Sequence, residues 1–199
     1  MNKLKILMDS TGDLNPKLCE QYDIGIIPLT VNLGEKSYVD GVNITPKDVF
    51  GYYDETGELA TTSAIAPNIF EDVFNRWTKQ GYDVIDFSIS PLFTSTFNSA
   101  QIAAQNFKNV YLVDSESLST GVGLLALAAA RMREEGKSIL EILEKVESLK
   151  KEFNGSFVID TLKFLRKGGR CSGLAAFSTN LLSIKPCLEI REGVLNVGK

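Results

Sequence analysis

The chain has 199 residues, of which 44% are hydrophobic and 23% are charged, a balance typical of globular proteins. Its formal net charge is -4, so we expect no general attraction to nucleic acid or to an anionic membrane surface. Histidine is absent, which excludes the Ser-His-Asp and Cys-His arrangements that activate most catalytic nucleophiles. This composition argues against a DNA-binding regulator and against most hydrolases.

The apolar segments predict a cytoplasmic protein without stable membrane insertion. The run after the charged N-terminus is only Ile6-Leu7-Met8, which is too short for a secretory signal. The most apolar run, Leu124 to Ala130, is far shorter than the roughly 20 residues that span a bilayer.

Aliphatic runs alternate with amphipathic segments along most of the chain. Four runs predict strands that are buried on both faces: Lys5 to Met8, Ile24 to Leu33, Asp83 to Ile89 and Asn109 to Val113. Helical patterns cover Pro67 to Gln80, Ser119 to Glu135 and Ser138 to Phe153. This alternation predicts an α/β fold with a mainly parallel sheet flanked by helices.

The pattern restarts after Asn154-Gly155. A strand at Ser156 to Asp160, a short helix around Leu162 to Leu165 and a hairpin turning at Glu192-Gly193 are predicted. About 45 residues is close to the lower limit for a domain that folds alone. We therefore predict an N-terminal domain at residues 1–155 and the truncated beginning of a second, smaller α/β domain at residues 156–199.

Hydroxyl side chains are concentrated in the loops expected at the carboxyl edge of the sheet, where ligands of parallel sheets bind. They could converge on one acidic head group, or each could simply cap the helix that follows it. Either interpretation fits any single loop, and the clustering favours an anion site. The residues are Ser10, Thr11, Thr61, Thr62, Ser63, Ser88, Ser90, Thr94, Ser95, Thr96, Ser115, Ser117, Ser119 and Thr120.

Two further motifs have a structural and a functional interpretation. Gly121 to Ala126 matches a loose G-x-G-x-x-A pattern, but its glycines come too late after the strand for a dinucleotide turn. We expect them to pack inside a helix. Arg166 to Arg170 places three cations around a glycine pair, which is either a solvated basic loop or a docking point for a partner.

Several segments together resemble the DegV family. They are Asp9 to Leu14, Thr62-Ser63, Ser90 to Ala100, Val113 to Ser115 with Gly121 to Gly123, and above all Asp160 to Arg170 followed by Ile184 to Pro186. The resemblance implies a two-domain α/β protein that holds a long-chain fatty acid, such as palmitate or stearate, between its domains. It also implies that a fatty acid kinase receives this ligand, and it implies no cofactor.

The resemblance assigns roles to four residues. Thr62, Ser63 and Ser90 match the hydroxyls that hold the fatty-acid carboxylate, and Arg170 matches the arginine that contacts the kinase. The sequence departs from the family pattern after Thr62-Ser63, where Ala64 to Pro67 replaces Gln-Pro-Ser, and at Phe93 to Thr96, which replaces Leu-Ser-Gly-Thr. A family histidine near the C-terminus has no counterpart.

The leading hypothesis is therefore a fatty-acid-binding protein that presents its ligand to a partner and is not itself an enzyme. The alternative is a stand-alone acyl or phosphoryl transferase. Asp9, Asp13, Asp114 and Asp160 near predicted strand ends could hold Mg²⁺ in such an enzyme, but no P-loop accompanies them.

Overall fold

A computed structural model describes residues 3–161, 163–169 and 185–198 of the chain. The strands are β1 (Lys3–Asp9), β2 (Ile24–Ile27), β3 (Thr30–Leu33), β4 (Lys36–Val39), β5 (Thr61–Ser63), β6 (Tyr82–Ser88), β7 (Val110–Asp114), β8 (Gly155–Val158), β9 (Cys187–Arg191) and β10 (Val194–Val197). The helices are α1 (Pro16–Gln21), α2 (Pro46–Thr56), α3 (Pro67–Thr78), α4 (Thr96–Ala104), α5 (Thr120–Glu134), α6 (Ile139–Glu152) and α7 (Lys163–Lys167). A 3₁₀ turn, Ser10–Gly12, follows β1.

The central sheet has the strand order β2-β1-β6-β7. All three of its pairings are parallel, which confirms the mainly parallel sheet predicted from the sequence. Alternate residues of a strand point to opposite faces. Ile6 and Ile85 therefore pack with α5 and α6, whereas Leu7 and Val84 pack with α3 and α4.

The predicted strand from Ile24 to Leu33 is wrong as a single element. It consists of β2 in the parallel sheet and β3 in a separate antiparallel sheet of order β4-β3-β5. The chain leaves the first sheet at Pro28, which has no backbone N–H to donate to a continuing ladder. As a result Thr62 and Ser63 lie in the short strand β5, beside β3, rather than in a loop at the end of a parallel strand.

The last three strands form an antiparallel sheet of order β10-β9-β8. β9 and β10 meet at Glu192 and Gly193, whose φ angles are 50 and 73, and this turn confirms the predicted hairpin. Phe93 and Leu118, from the loops after β6 and β7, pack both against this sheet and against the core beneath α5. The division of the chain near residue 155 stays a prediction.

Glycines in α5 allow this helix to approach the turn after β1. A β-carbon at Gly123 would lie 2.2 Å from the carbonyl oxygen of Gly12, and one at Gly121 would lie 2.0 Å from the Ser117 hydroxyl oxygen. Both glycines are buried inside the helix. The expectation that they serve packing is confirmed.

Gly123→Ala should lower the free energy of unfolding by about 1 to 3 kcal/mol, because the carbonyl it meets belongs to the backbone and cannot rotate aside. The control is Gly51→Ala in α2, where a β-carbon would meet nothing within 4 Å. That change should raise the free energy of unfolding by up to about 1 kcal/mol. Urea unfolding measures the free energy of unfolding of both variants. Changes of the same sign would contradict the close packing of Gly123 on the Gly12 carbonyl.

Candidate functional site

Asp9 joins the ends of the two central strands at the carboxyl edge of the parallel sheet. Its side chain is fully buried and accepts hydrogen bonds from the Ile89 amide at 2.7 Å and from the Thr11 amide at 2.9 Å. The Thr11 hydroxyl donates a third. Burial raises the pKa of Asp9 above its ordinary value, and these hydrogen bonds oppose that effect. Asp9 therefore fixes the loop after β6 to the turn after β1.

A second buried carboxyl group, Asp86, lies on β6 near Asp9. Burial, followed by the charge of Asp9, raises the pKa of Asp86 to about 7, against a weak lowering by the Ser88 hydroxyl at 3.3 Å. Its Oδ1 atom has no hydrogen-bond partner among the described residues. Asp86 is therefore largely neutral below pH 7, and the edge of the sheet carries less negative charge than its sequence suggests.

Ser10 attaches the antiparallel sheet to this edge. Its hydroxyl donates to Asp40 Oδ2 at 2.6 Å and accepts from the Leu29 amide at 3.1 Å. Thr30, which follows Leu29, is paired with Ser63 in the register of β3 and β5. The C-terminal end of β5 is therefore the end nearest the carboxyl edge of β1 and β2, although β5 belongs to another sheet.

Ser90 is buried in the loop that follows β6, with 1% of its surface exposed. Its amide donates to the Ser117 carbonyl at 3.0 Å, which fixes it against the loop after β7. Its hydroxyl oxygen accepts from the Leu92 amide at 3.3 Å.

The hydroxyls of the edge differ in whether their hydrogen is already committed to a protein acceptor. Five of them donate to a protein acceptor. In the following pairs the donor is given first: Ser10 to Asp40, Thr11 to Asp9, Ser88 to Asp86, Ser115 to the Ser117 carbonyl and Ser119 to Asp13. Ser63 and Ser90 only accept, Ser63 from Asn32 Nδ2 at 3.0 Å. Within the described residues neither donates its hydroxyl hydrogen, and no hydrogen bond joins Ser90 to Thr62 or Ser63. Thr62 is exposed.

Arg170 lies outside the described residues. The helix before it, α7, packs on α2: Phe164 meets the Tyr53 ring edge-on at 5.1 Å between centroids. Lys167 Nζ donates to the Gly57 carbonyl at 3.3 Å. Gly169 has φ 71, a left-handed conformation that glycine adopts without strain.

The four aspartates considered for Mg²⁺ have other partners. Asp9 holds the strand ends, Asp13 accepts from Ser119, Asp114 accepts from the Glu116 amide, and Asp160 pairs with Lys185 at 2.6 Å. In the part of the chain that the structure describes, no group of three acidic or cysteine side chains could hold a metal ion. No helix in that part is long and apolar enough to cross a bilayer.

The sequence interpretation missed Asp86, the Ser10 anchor and the contact of Gly193 with Ser90 described below. Asp86 leaves a trace in the sequence, because it interrupts the apolar run Val84-Ile85-Phe87 of a strand buried on both faces. Ser10 and Gly193 were noted as a hydroxyl and a turn residue, but their contacts could not be predicted, since their partners lie far away along the chain.

The fold is that of an α/β protein in which a parallel sheet is accompanied by two smaller antiparallel sheets. A family model with the description "Uncharacterised protein, DegV family" matches residues 3–199 of the chain. The chain belongs to the DegV family.

Relatives and solved structures agree with this assignment. A DegV domain-containing protein of Clostridium acetobutylicum is 37% identical over 99% of this chain and 71% of its own length. A DegV family protein of Thermus thermophilus, described by its fatty acid binding, superposes with a TM-score of 0.93 at 34% identity, covering 100% of this chain and 71% of that one. A stearic acid-binding protein of Eubacterium ventriosum gives a TM-score of 0.90 at 30% identity, covering 98% and 70%.

Asp86→Asn should stabilise the protein in a pH-dependent way. With a pKa of about 7 when folded and about 4 when unfolded, Asp86 costs the fold more free energy as the pH rises through that window. The free energy of unfolding of the variant should equal that of the parent at about pH 4 and exceed it by a few kcal/mol at about pH 8. Denaturant unfolding across this range measures the difference, and a difference independent of pH would contradict the assignment.

Proposed function

We propose that this protein binds a long-chain fatty acid, such as palmitate or stearate, and that Thr62, Ser63 and Ser90 hold its carboxylate. The observation that carries the proposal is the pair of hydroxyls, Ser63 and Ser90, that accept a hydrogen bond from the protein and keep their own hydrogen for an external acceptor. A carboxylate is such an acceptor, and hydrogen bonds to a charged group are the strong ones.

Topology supports a single site. Ser63 lies at the end of β5 nearest the Ser10 anchor, and Ser90 follows β6, the strand paired with β1. Both therefore flank the turn after β1. The raised pKa of Asp86 favours an anion here below about pH 7, where the protonated Asp86 adds no repulsive charge to the edge.

The acyl chain and the carboxylate of the ligand contribute differently to binding. Each buried methylene contributes about 0.8 kcal/mol, so the acyl chain supplies most of the affinity. The hydroxyls then need to supply only orientation and preference for a carboxylate. The relatives from Thermus thermophilus and Eubacterium ventriosum, described as binding fatty acid and stearic acid, support this ligand class.

We further propose that the protein acts in the cytoplasm as a carrier without catalytic activity or cofactor, and that Arg170 docks a fatty acid kinase-like partner. The aspartates that a transferase would need for Mg²⁺ are engaged in structural contacts, which favours the carrier over the stand-alone transferase.

Native mass spectrometry of the purified protein should reveal a co-purifying fatty acid, and the delipidated protein should bind stearate more tightly than stearyl alcohol, which lacks the charge. Absence of stearate binding would contradict the proposed function. Turnover of ATP or of an acyl ester by the protein alone would favour the transferase.

Ser90→Ala and Ser63→Ala should each weaken stearate binding about tenfold or more, since a hydrogen bond to a charged acceptor is worth about 1.5 to 3 kcal/mol. Calorimetric titration measures this. The control is Ser119→Ala, which removes a hydroxyl of the same edge whose hydrogen already binds Asp13 Oδ2 at 2.6 Å. Its stearate affinity should match the parent. Unchanged affinity in both test variants would show that the head group binds elsewhere.

Arg170→Ala should leave stearate binding intact and reduce partner-dependent formation of acyl phosphate. An arginine on a glycine turn can pair with a carboxylate of the partner, whereas a guanidinium inside an apolar site would lose its hydration. The paired measurement is bound fatty acid by extraction and acyl phosphate with the reconstituted kinase. Loss of fatty acid with retained coupling would place Arg170 at the carboxylate instead.

A further inference from the structure

The turn between β9 and β10 makes an unusually close approach to Ser90. Glu192 and Gly193 both have positive φ, as the tight two-residue turns of β-hairpins require. Gly193 is buried. A β-carbon there would lie 2.5 Å from Ser90 Oγ and 3.3 Å from Ser90 Cβ. The hairpin backbone thus rests directly on the serine side chain.

Backbone conformation alone does not explain a glycine at this position. Gly41 has φ 70, close to the 73 of Gly193, and also lies in a tight turn, yet a β-carbon at Gly41 would meet nothing within 4 Å. Asn and Asp adopt this conformation as well. Gly193 is required because any β-carbon at this position would overlap the Ser90 hydroxyl.

Ser90 is held from its other side too. Its amide donates to the Ser117 carbonyl at 3.0 Å, and its hydroxyl accepts from the Leu92 amide at 3.3 Å. Leu92 Cδ1 would itself lie 3.5 Å from a β-carbon at Gly193. The Ser90 backbone is therefore fixed to the loop after β7, and its hydroxyl oxygen lies between the Leu92 amide and the hairpin turn.

We propose that Gly193 is a positioning residue of the fatty-acid site: its bare backbone holds the Ser90 hydroxyl in the orientation that donates to the carboxylate. This inference rests on the proposed function. A side chain at position 193 turns the hydroxyl away without removing it, because the Ser90 χ1 angle is the softest degree of freedom in the contact.

Gly193→Ala should lower stearate affinity about tenfold, the size of one lost charge-assisted hydrogen bond. Gly41→Ala imposes the same backbone strain in open space and should leave the affinity at the parental value. If Gly193→Ala unfolds the protein, Ser90→Thr replaces it, because threonine keeps the hydroxyl and adds a methyl group beside the Gly193 backbone. Ser90→Thr should then lower stearate affinity to the same extent, and a parental affinity would overturn the inference.

A double-mutant cycle separates positioning from general destabilisation. In the Ser90→Ala background, Gly193→Ala should cause no further loss of stearate affinity, because the hydroxyl it misplaces is gone. Additive losses would overturn the inference. The inference would also be overturned if Ser90→Ala lowered stearate affinity and Gly193→Ala did not, an outcome that leaves the proposed function standing. Parental stearate affinity in Ser90→Ala would contradict both the inference and the role of Ser90 in the proposed function.

Discussion

The buried carboxylate of Asp9 is the interaction on which the carboxyl edge of the sheet depends. A fully buried acidic group is unfavourable unless hydrogen-bond donors surround it. Asp9 meets this requirement by accepting from the turn after its own strand and from the Ile89 amide after β6. Two of the three donors are backbone amides, so the carboxylate fixes chain segments and not merely a side chain. The loop that carries Ser90 begins at the residue that Asp9 holds.

The same edge combines a carboxylate held by three hydrogen bonds with a second buried carboxyl group, that of Asp86. Burial, and after it the charge of Asp9, raises the pKa of Asp86 to about 7. Two like charges in a medium of low dielectric ionise together only at a high cost in free energy. Below about pH 7 a protonated Asp86 therefore removes one negative charge from this edge. The proposed carboxylate site thus needs no desolvated cation, only donors with a free hydrogen.

Sequence patterns predicted the elements whose signal is local. The strands β1, β6 and β7 are rich in aliphatic residues, and α6 has a capping box between Ser138 and Glu141. The short strand β5 was not predicted, because its three exposed polar residues show no hydrophobic alternation. Pairing with β3 forms this strand. The break at Pro28 was also missed, since the residues on both sides are equally aliphatic.

For the candidate site, the sequence supplied residue types and the resemblance supplied roles, but not the hydrogen bonds that distinguish one hydroxyl from another. Ser10, Thr11, Ser63 and Ser90 look alike along the chain. They differ only through partners brought together by the fold: acidic acceptors for Ser10 and Thr11, and N–H donors for Ser63 and Ser90. Long-range contacts of this kind have no local signature.

Glycine backbones set the distances at this corner. Gly123 brings α5 onto the turn after β1, and Gly193 brings the hairpin onto the loop after β6. Contacts between backbones have fewer rotatable bonds than contacts between long side chains, so they hold their geometry at a lower entropic cost. A site that must orient a carboxylate, while the acyl chain supplies the free energy of binding, benefits from such rigidity. The hydroxyl of Ser90 can then be short and uncharged, because the hairpin turn and the Leu92 amide restrict the position of its oxygen.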